Sequence, residues 1–535
     1  MPDSPSEHKN SYDQVPYKSH PFAQAHPDRL ATIASLFGIR PAPVERCRVL
    51  ELGCASGGNL LPMADQFPNS EFIGIDASLR QIQDGNLILT QSGLTNVKLR
   101  QQDILEFADD RPFDFIISHG VYSWVPTDVQ HRMLQICRDC LAPNGIAYVS
   151  YNTYPGWHMR GMIRDVMRYR ARSFSDPRQK LSQARGLLTF LSNSVNSENS
   201  PYGLMLKQEL ESIAHADDSY LQHEHLEDVN DPIYFHQFAE LASAAGLQYL
   251  GEADFGVMSV ENFPEQVQSM LLSVSRDTIE IEQYMDFLRN RAFRQTLLVR
   301  DDCHFDRTPE PRALLKLRVS SSAKSETETV DLRSSEQVAF QRGSSVLRTT
   351  DPVVKAAMLH LRRVWPQSVP FGELASLARS IASGHPAAVD TDVLSPVTEQ
   401  LARTLLRCFA TRTIDLHCAA PQFVSVAGEL EFPRISALAR VQASLGSSVT
   451  NRLHETVRLD DVQRRVVSHC DGTRSRADLV TVLCGALQQG ELTLHHRGVR
   501  VTDAETLKRL ADDMVRDILS FLAGCGLIVS QDLNS

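Results

Sequence analysis

Several features that would assign a protein to a class at once are absent from this sequence. No run of about eighteen apolar residues occurs, so no membrane-spanning helix is predicted, and the N-terminus lacks the charged-then-apolar pattern of a signal peptide. Ten cysteines among 535 residues do not form a disulfide framework. With 54 basic and 65 acidic residues, the net charge of -11 disfavours nucleic acid as the main partner. We therefore expect a cytoplasmic protein with no membrane insertion, reduced cysteines and no nucleic-acid partner.

Metal-site motifs are also scarce. Cys137 and Cys140 have Cys-x-x-Cys spacing, but no second pair lies nearby, and both fall in a helix predicted between the fourth and fifth strands. Packing in the core is therefore favoured over metal or redox chemistry, and no metal is expected.

What the sequence does contain is a strand that breaks into a glycine-rich turn. The stretch Val49-Leu-Glu-Leu-Gly-Cys-Ala-Ser-Gly-Gly-Asn-Leu60 joins a buried strand to an amphipathic helix, and its glycines let the backbone approach a ligand. It is neither the G-x-G-x-x-G dinucleotide fingerprint nor a P-loop, because no phosphate-binding lysine follows. A turn that only connects a strand to a helix would also explain the glycines, so the turn alone leaves the function open.

The segments after this turn follow the order of a doubly wound sheet. Further short strands are predicted at Glu71–Asp76, Val97–Asp103, Phe113–Ser118 and, with a preceding turn, Leu141–Tyr151. Ligands in such sheets bind at the carboxyl ends of the strands. Asp76 is therefore expected to accept hydrogen bonds from ribose hydroxyls, and Asp103 from an adenine amino group.

Glu-x-Gly-x-x-x-Gly-Gly followed by two strand-end carboxylates resembles the class I S-adenosylmethionine-dependent methyltransferases. The resemblance implies an α/β fold, a seven-stranded Rossmann-like core with S-adenosyl-L-methionine (AdoMet) as cofactor. Its last two strands would be Leu247–Gly251 and an antiparallel Phe293–Val299. The expected cofactor contacts are Tyr17, Glu51, Gly53, Cys54, Ala55, Gly57, Asp76, Ala77, Gln102, Asp103, Ile104, Ser118 and His119. Asn59 is assigned to the start of the helix rather than to the ligand.

Two loops at the same edge of the predicted sheet are rich in rings. An amine acceptor must react in its neutral form, and an aromatic pocket can desolvate a lysine whose ordinary pKa is about 10.4. His119 could accept a proton or orient the acceptor, with a structural histidine as the alternative. The candidate catalytic residues are His119, Tyr122, Trp124, Tyr151, Tyr154 and Trp157. For the two tryptophans, packing in the core is the stronger alternative.

Three peptides, Val15–Phe22, His119–Pro126 and Tyr151–Gly161, resemble a narrower bacterial group. This group is the methyltransferases with a methyltransferase regulatory domain, which include rickettsial outer-membrane-protein lysine methyltransferases. The resemblance implies a lysine-containing protein substrate, such as an outer-membrane protein, and a regulatory region around residues 217–300. It also implies that the inserted helices form a homodimer, with solvated surface helices as the alternative.

We divide the chain into six segments: an N-terminal lid at 1–40, the first part of the AdoMet-binding core at 41–160, a helical insertion at 161–225, core completion with the regulatory region at 226–305, a middle domain at 306–435 and a C-terminal domain at 436–535. For the lid, a strap that packs on the first domain is the alternative. Leu314–Val319 and Val338–Gln341 are predicted as strands. Val353–Val424 and Val462–Val529 are mainly helical and suit winged-helix-like modules that dock proteins, since neither has a clearly basic helix.

Three functions agree with these patterns. The leading hypothesis is an AdoMet-dependent methyltransferase that N-methylates lysine side chains of proteins. The alternatives are a methyltransferase of small molecules and an AdoMet-sensing regulator that binds through its winged-helix modules.

Overall fold

A computed structural model describes residue 13 and residues 17–196, 200–214, 218–390, 394–420, 422–424, 431–492, 495–496, 499–500 and 503–530. Most of the predicted lid before Tyr17, including Val15 and Pro16 of the first family peptide, lies outside the described residues. Over the described ranges, no helix is both long enough and apolar enough to cross a membrane.

The central sheet has the predicted seven strands. Their bounds are β1 Arg48–Leu52, β2 Glu71–Asp76, β3 Val97–Gln101, β4 Phe113–Ser118, β5 Leu141–Asn152, β6 Leu247–Glu252 and β7 Phe293–Arg300. They are arranged in the order β3-β2-β1-β4-β5-β7-β6. The first five strands are parallel, and β7 runs antiparallel to β5 and β6. The Rossmann-like core with an antiparallel seventh strand is confirmed.

Strand β5 is longer than predicted. Phe113 pairs with Leu141, but Phe115 pairs with Ile146, so the register shifts between the two pairs. The Pro-Asn-Gly sequence predicted as a turn before the strand is therefore an irregularity within it. Beyond this point the strand continues without a break to Asn152, at the edge of the sheet where the glycine turn lies.

Helices cover both faces of the sheet. They are α1 Pro27–Leu36, α2 Leu60–Gln66, α3 Leu79–Ser92 and α4 Thr127–Asp139. Alternate residues of β1 enter two separate apolar clusters, with Val49 packed towards α1 and α2 and Leu50 towards α4. Cys137 and Cys140 are buried in the second cluster, Cys140 just past the end of α4. All of β1 is buried, as expected for a parallel strand covered on both sides.

The predicted helical insertion follows β5. It contains α5 Trp157–Ala171, α6 Pro177–Ser194, α7 Pro201–Ala214 and α8 Asp218–Leu221, and α8 runs into a π-helix at Gln222–Leu226. The insertion has an apolar cluster of its own, to which Ile163, Met167 and Leu188 contribute. The chain then returns to the sheet through α9 Phe235–Ala244, α10 Glu265–Val274 and α11 Thr278–Arg289.

The middle part of the chain is mixed. Its elements are β8 Arg318–Ser320, β9 Lys324–Ser325, β10 Val338–Arg342, β11 Ser345–Thr349, α12 Pro352–Val364, β12 Val369–Pro370, α13 Phe371–Ser383, α14 Pro396–Ala410 and β13 Asp415–His417. The predicted strand at Leu314–Val319 is largely wrong, because Pro311 starts a 3-10 helix that runs to Lys316. Proline favours the first helical position, since its φ is already suited to it.

The last part of the chain packs on the first. It contains α15 Ala437–Leu445, β14 Ser448–Thr450, β15 Thr456–Arg458, α16 Asp461–His469, α17 Arg476–Gln488, β16 His495–His496, β17 Val499–Arg500 and α18 Ala504–Gly524. Helix α15 lies against α3 and α2, and its Leu438 belongs to the same apolar cluster as Val49. The methyltransferase-like core is thus completed by residues from the end of the chain.

Candidate active site

A cavity of about 370 Å³ opens at the carboxyl ends of β1, β2 and β4. Its size is within the range of small-ligand sites. It brings together most of the residues expected to contact a cofactor or acceptor: Tyr17, Glu51, Gly53, Cys54, Ala55, Asp76, Ala77, Asp103, Ile104, His119 and Trp124. Strand ends that are far apart in sequence therefore meet as the doubly wound fold requires.

The glycine turn is held by a carboxylate of the neighbouring strand. Asp76 accepts hydrogen bonds from the backbone N–H of Ala55 and from that of Ser78, each at 2.8 Å. Gly53 has a φ of +71°, a conformation that glycine adopts readily. A Cβ atom at Gly58 would come within 2.6 Å of Ser19, so this glycine allows the N-terminal segment to lie on the turn. Burial raises the pKa of Asp76 above its usual value.

Glu51 is the deepest carboxyl of the cavity, with 3% of its surface exposed. Its Oε1 accepts a hydrogen bond of 2.7 Å from the side-chain nitrogen of Asn59. Its Oε2 has no hydrogen-bond partner among the described residues. Burial raises the pKa of Glu51 to about 8, although the hydrogen bond from Asn59 acts in the opposite direction.

Asn59 is the N-cap residue of α2, at the helix start as predicted, but its side chain forms no capping hydrogen bond there. It lines the cavity, and its Oδ1 accepts a hydrogen bond of 2.9 Å from the backbone N–H of Phe22. The sequence did not predict this role, because Glu51 and Phe22, the hydrogen-bond partners of Asn59, are not its neighbours along the chain.

His119 lies where β4 ends and faces the cavity. Its Nδ1 is 2.7 Å from the hydroxyl of Tyr148, and its ring stacks on Phe22 with the centroids 3.6 Å apart. Burial lowers the pKa of His119 to about 4. The imidazole is therefore neutral at pH 7, which favours orienting an acceptor over holding a proton.

The five predicted rings do not form one pocket. Trp124 lines the cavity, but Tyr122 and Tyr151 are 0% and 1% exposed and pack in the core against Phe238. The helix that carries Phe238 covers them, which residue chemistry alone could not reveal. Tyr154 and Trp157 line a separate surface cavity.

Three other predicted contacts also lie outside the cavity wall. Ser118 is fully buried at the end of β4, and Gly57 packs against Leu61 and Leu99. The side chain of Gln102 turns away to donate a hydrogen bond to the carbonyl of Glu106. The positions of Ser118 and Gln102 follow from the alternation of side chains at a strand end, which reverses with a shift of one residue.

The structure adds lining residues from three directions. The N-terminal segment 17–22 covers the glycine turn. The hydroxyl oxygen of Ser19 accepts a hydrogen bond of 2.7 Å from the N–H of Gly58. Asn152 and Phe293 pair across β5 and β7 at the cavity edge, a contact that the antiparallel seventh strand could have indicated.

The π-helix of the insertion contributes the third set, His223 and Glu224. Burial raises the pKa of Glu224 to about 7. The surrounding sequence is polar and has no motif, so no signal pointed to this pair. π-Helices are often found at functional sites.

Comparison with known proteins assigns three regions of the chain to families. Three family models match: a methyltransferase domain over residues 43–216, a predicted methyltransferase regulatory domain over 217–300 and a PKMT C-terminal winged helix domain over 431–527. The uncharacterized protein RP789 of Rickettsia prowazekii (strain Madrid E) is 33% identical over 529 residues, which cover 97% of this chain and 94% of that protein. The uncharacterized protein RP028 of the same strain is 41% identical over 235 residues, 44% of this chain and 94% of that protein.

A solved structure is similar along nearly the whole chain. The structure of PKMT2 from Rickettsia typhi in complex with AdoHcy has a TM-score of 0.84 and 30% sequence identity, and the match covers 96% of this chain and 100% of that one. A further structure of PKMT2 from Rickettsia typhi gives a TM-score of 0.83 over the same shares. The likeness includes the insertion, the middle part and the C-terminal winged-helix domain as well as the sheet.

Proposed function

Given that this chain belongs to the class I AdoMet-dependent methyltransferases that carry a methyltransferase regulatory domain, the family of rickettsial PKMT2, we propose that it methylates lysine side chains of a protein. It is an AdoMet-dependent methyltransferase. The observation that carries the lysine proposal is the cavity at the strand ends, which is lined by rings and carboxyl groups, in a chain similar along nearly its whole length to a protein named PKMT2.

The residues of the cavity suit the parts of the cofactor. AdoMet supplies an electrophilic methyl group on a positively charged sulfur. Asp76, at the tip of β2, would accept hydrogen bonds from the ribose hydroxyls, and Asp103 with Ile104 would line the adenine end. Gly53 and Glu51 line the part of the cavity where the amino-acid portion of AdoMet would lie.

The other wall of the cavity suits an amine acceptor. Catalysis of methyl transfer depends mainly on positioning the two partners and excluding water. Rings can hold the aliphatic stem of lysine and meet its cationic head, and those that line the cavity are Tyr17, Phe22, Trp124 and Phe293. Neutral His119 would orient the amine. Glu224, with its pKa near 7, is suited to accept the proton that the lysine ammonium must lose before it can attack.

Transfer of labelled methyl groups tests the proposal. Purified protein is incubated with methyl-labelled AdoMet and an outer-membrane protein fraction, in parallel with the same fraction whose lysines have been acetylated. We expect acid-stable label in methylated lysine from the untreated fraction only. Label confined to small molecules would indicate a metabolite acceptor instead, and AdoMet binding without turnover would indicate a sensor.

A matched pair of variants controls this assay. Asp76→Ala removes the ribose partner and should lower the transfer rate at limiting AdoMet by about tenfold or more, equivalent to about 1.4 kcal/mol. Asp84→Ala removes an exposed carboxyl on the neighbouring α3 and should leave the rate unchanged. Equal rates in the two variants would contradict the assigned role of Asp76.

Three narrower properties stay predictions: an outer-membrane protein as the acceptor, a homodimer formed through the insertion, and a cytoplasmic location. The proposed site does not depend on any of them.

A further inference from the structure

A loop of the winged-helix domain contacts a residue that lines the donor cavity, the cavity of about 370 Å³ at the strand ends. Residues Asn451–Glu455 connect β14 to β15, and His454 within them has a φ of +58° and is 3% exposed. Its Nε2 lies 2.8 Å from Oδ1 of Asn59, a residue that lines the cavity. His454, in the last fifth of the chain, is therefore linked to the methyl-donor site through a single residue, Asn59.

The donor and the acceptor of each hydrogen bond that involves the Asn59 side chain can be assigned. Oδ1 of Asn59 must be an oxygen, because the backbone N–H of Phe22 can only donate to it. The amide nitrogen of Asn59 then faces Glu51 and donates to its Oε1 at 2.7 Å. Nε2 of His454 must accordingly carry a proton and donate to Asn59. Nδ1 of His454 is left as an acceptor, and it has no hydrogen-bond partner among the described residues.

We propose that His454 is a positioning residue for the methyl-donor site. By donating to Asn59, it holds the amide in the orientation that fixes both the Glu51 carboxyl and the backbone of Phe22, and all three residues line the cavity. The winged-helix domain thereby completes the site that binds AdoMet. This inference rests on the cavity holding AdoMet and is independent of the acceptor.

The same loop offers a control that separates positioning from docking. Arg452 forms an ion pair with Asp65 of α2 at 3.3 Å and does not belong to the donor cavity. Both side chains attach the loop to the core, with Arg452 10% exposed and Asp65 15% exposed. Loss of either contact weakens docking, but only loss of the His454 contact frees Asn59.

Three full-length variants test the proposal: His454→Leu, His454→Gln and Arg452→Gln. We measure the affinity for S-adenosylhomocysteine by calorimetry and the Tm without ligand. A hydrogen bond is worth about 1 kcal/mol, so His454→Leu should weaken affinity by about fivefold or more. His454→Gln keeps an N–H donor at the reach of Nε2 and should recover affinity to within about twofold of wild type.

Arg452→Gln should lower the Tm, because it breaks a largely buried ion pair, while its affinity stays within about twofold of wild type. Unchanged affinity in His454→Leu would overturn the proposal. Equal weakening in His454→Leu and Arg452→Gln would also overturn it, because docking alone would then explain the effect. If the variants show the expected affinities but the wild-type protein methylates no lysine, only the proposal of lysine as the acceptor is refuted.

Discussion

Glu51 shows how much one buried side chain sets the chemistry of the cavity. It lies on the first strand of the sheet, is 3% exposed and has a hydrogen-bond partner for only one of its two oxygens among the described residues. Burial is the main cause of its raised pKa, and the nearby carboxylate of Asp76 adds to it. A cationic ligand beside Glu51 would favour the ionised form.

The pH dependence of stability should reveal this carboxyl. Its pKa is about 8 in the folded protein and about 4.3 in an unfolded chain, so the folded state binds the extra proton between these values. Stability from this group is thus lost as the pH rises from about 4.3 to about 8. We expect Glu51→Gln, without ligand, to gain Tm relative to wild type steadily from pH 5 to pH 8.

Thermal unfolding scans at unit pH steps measure this difference. Glu45→Gln, which removes an exposed carboxyl just before the same strand, controls for the loss of one charge. A Tm difference between Glu51→Gln and wild type that does not change with pH would show that Glu51 is ionised throughout.

Sequence reasoning placed Asp76 and the glycine turn in the cavity because their positions follow from strand order alone. It failed for Tyr122 and Tyr151, which it chose for their chemistry although packing against Phe238 decides where they lie. It also missed the cavity role of Asn59, whose partner His454 is 395 residues away. The local sequence pattern thus predicts which residues lie at the strand ends. It does not predict contacts between residues that are far apart in the sequence.

At the scale of elements, one arginine joins two strands and a helix. Arg294 of β7 is fully buried and pairs with Glu252 of β6 at 2.7 Å and with Glu282 and Asp286 of α11 at 3.0 and 2.7 Å. It also lies over the ring of Phe235, with 3.7 Å from its guanidinium carbon to the ring centre. The edge of the sheet that carries the antiparallel strand therefore depends on a buried charge network.

Removal of this arginine should destabilise the protein strongly. Arg294→Ala leaves three buried carboxylates without that partner, and breaking a buried ion pair in this way costs about 3–5 kcal/mol. Urea unfolding measures the loss. Arg300→Ala removes an ion pair with the largely exposed Asp302 at the other end of the same strand and should cost only about 0–1 kcal/mol. Similar losses in both variants would mean that Arg294 contributes no more than a surface pair.

Helices and strands with a regular hydrophobic period, or with a clear signal at one end, could be predicted from the sequence. Leu79 as the start of α3 follows from the Ser78 cap, whose side chain accepts from the N–H of Gln81. The π-helix at Gln222–Leu226 could not be predicted, because no residue pattern specifies an extra residue in a helical turn. The 3-10 helix that begins at Pro311 resembles a strand in sequence, because its apolar residues are too few to show a helical period.

At the scale of the whole molecule, the core depends on distant parts of the chain. Asp28 of α1 accepts hydrogen bonds of 2.8 Å from the backbone N–H groups of Cys418 and Ala419. Leu438 enters the apolar cluster around Val49, and Arg452 pairs with α2. The modules could be predicted from sequence, but their docking could not, since it depends on single contacts between residues hundreds of positions apart.

Removal of the winged-helix domain should therefore affect the core. We expect a chain that ends at residue 430 to lose roughly 5 °C or more in Tm, as a loss of a few kcal/mol implies, and to bind S-adenosylhomocysteine more weakly. Calorimetry measures both quantities. A chain that lacks only residues 531–535 serves as the control. An unchanged Tm and affinity after the larger deletion would show that the winged-helix domain contributes neither to the stability of the core nor to the cofactor site.

The hydrogen bond between Asn59 and His454 also has a consequence for biosynthesis, because 395 positions separate the two residues. A ribosome that adds ~5–20 residues per second needs on the order of 20–80 s to translate that distance. Throughout that interval the glycine turn has been synthesised, but the imidazole that orients Asn59 has not. Nascent chains should therefore bind AdoMet more weakly than the finished protein, by about fivefold or more, until translation is nearly finished.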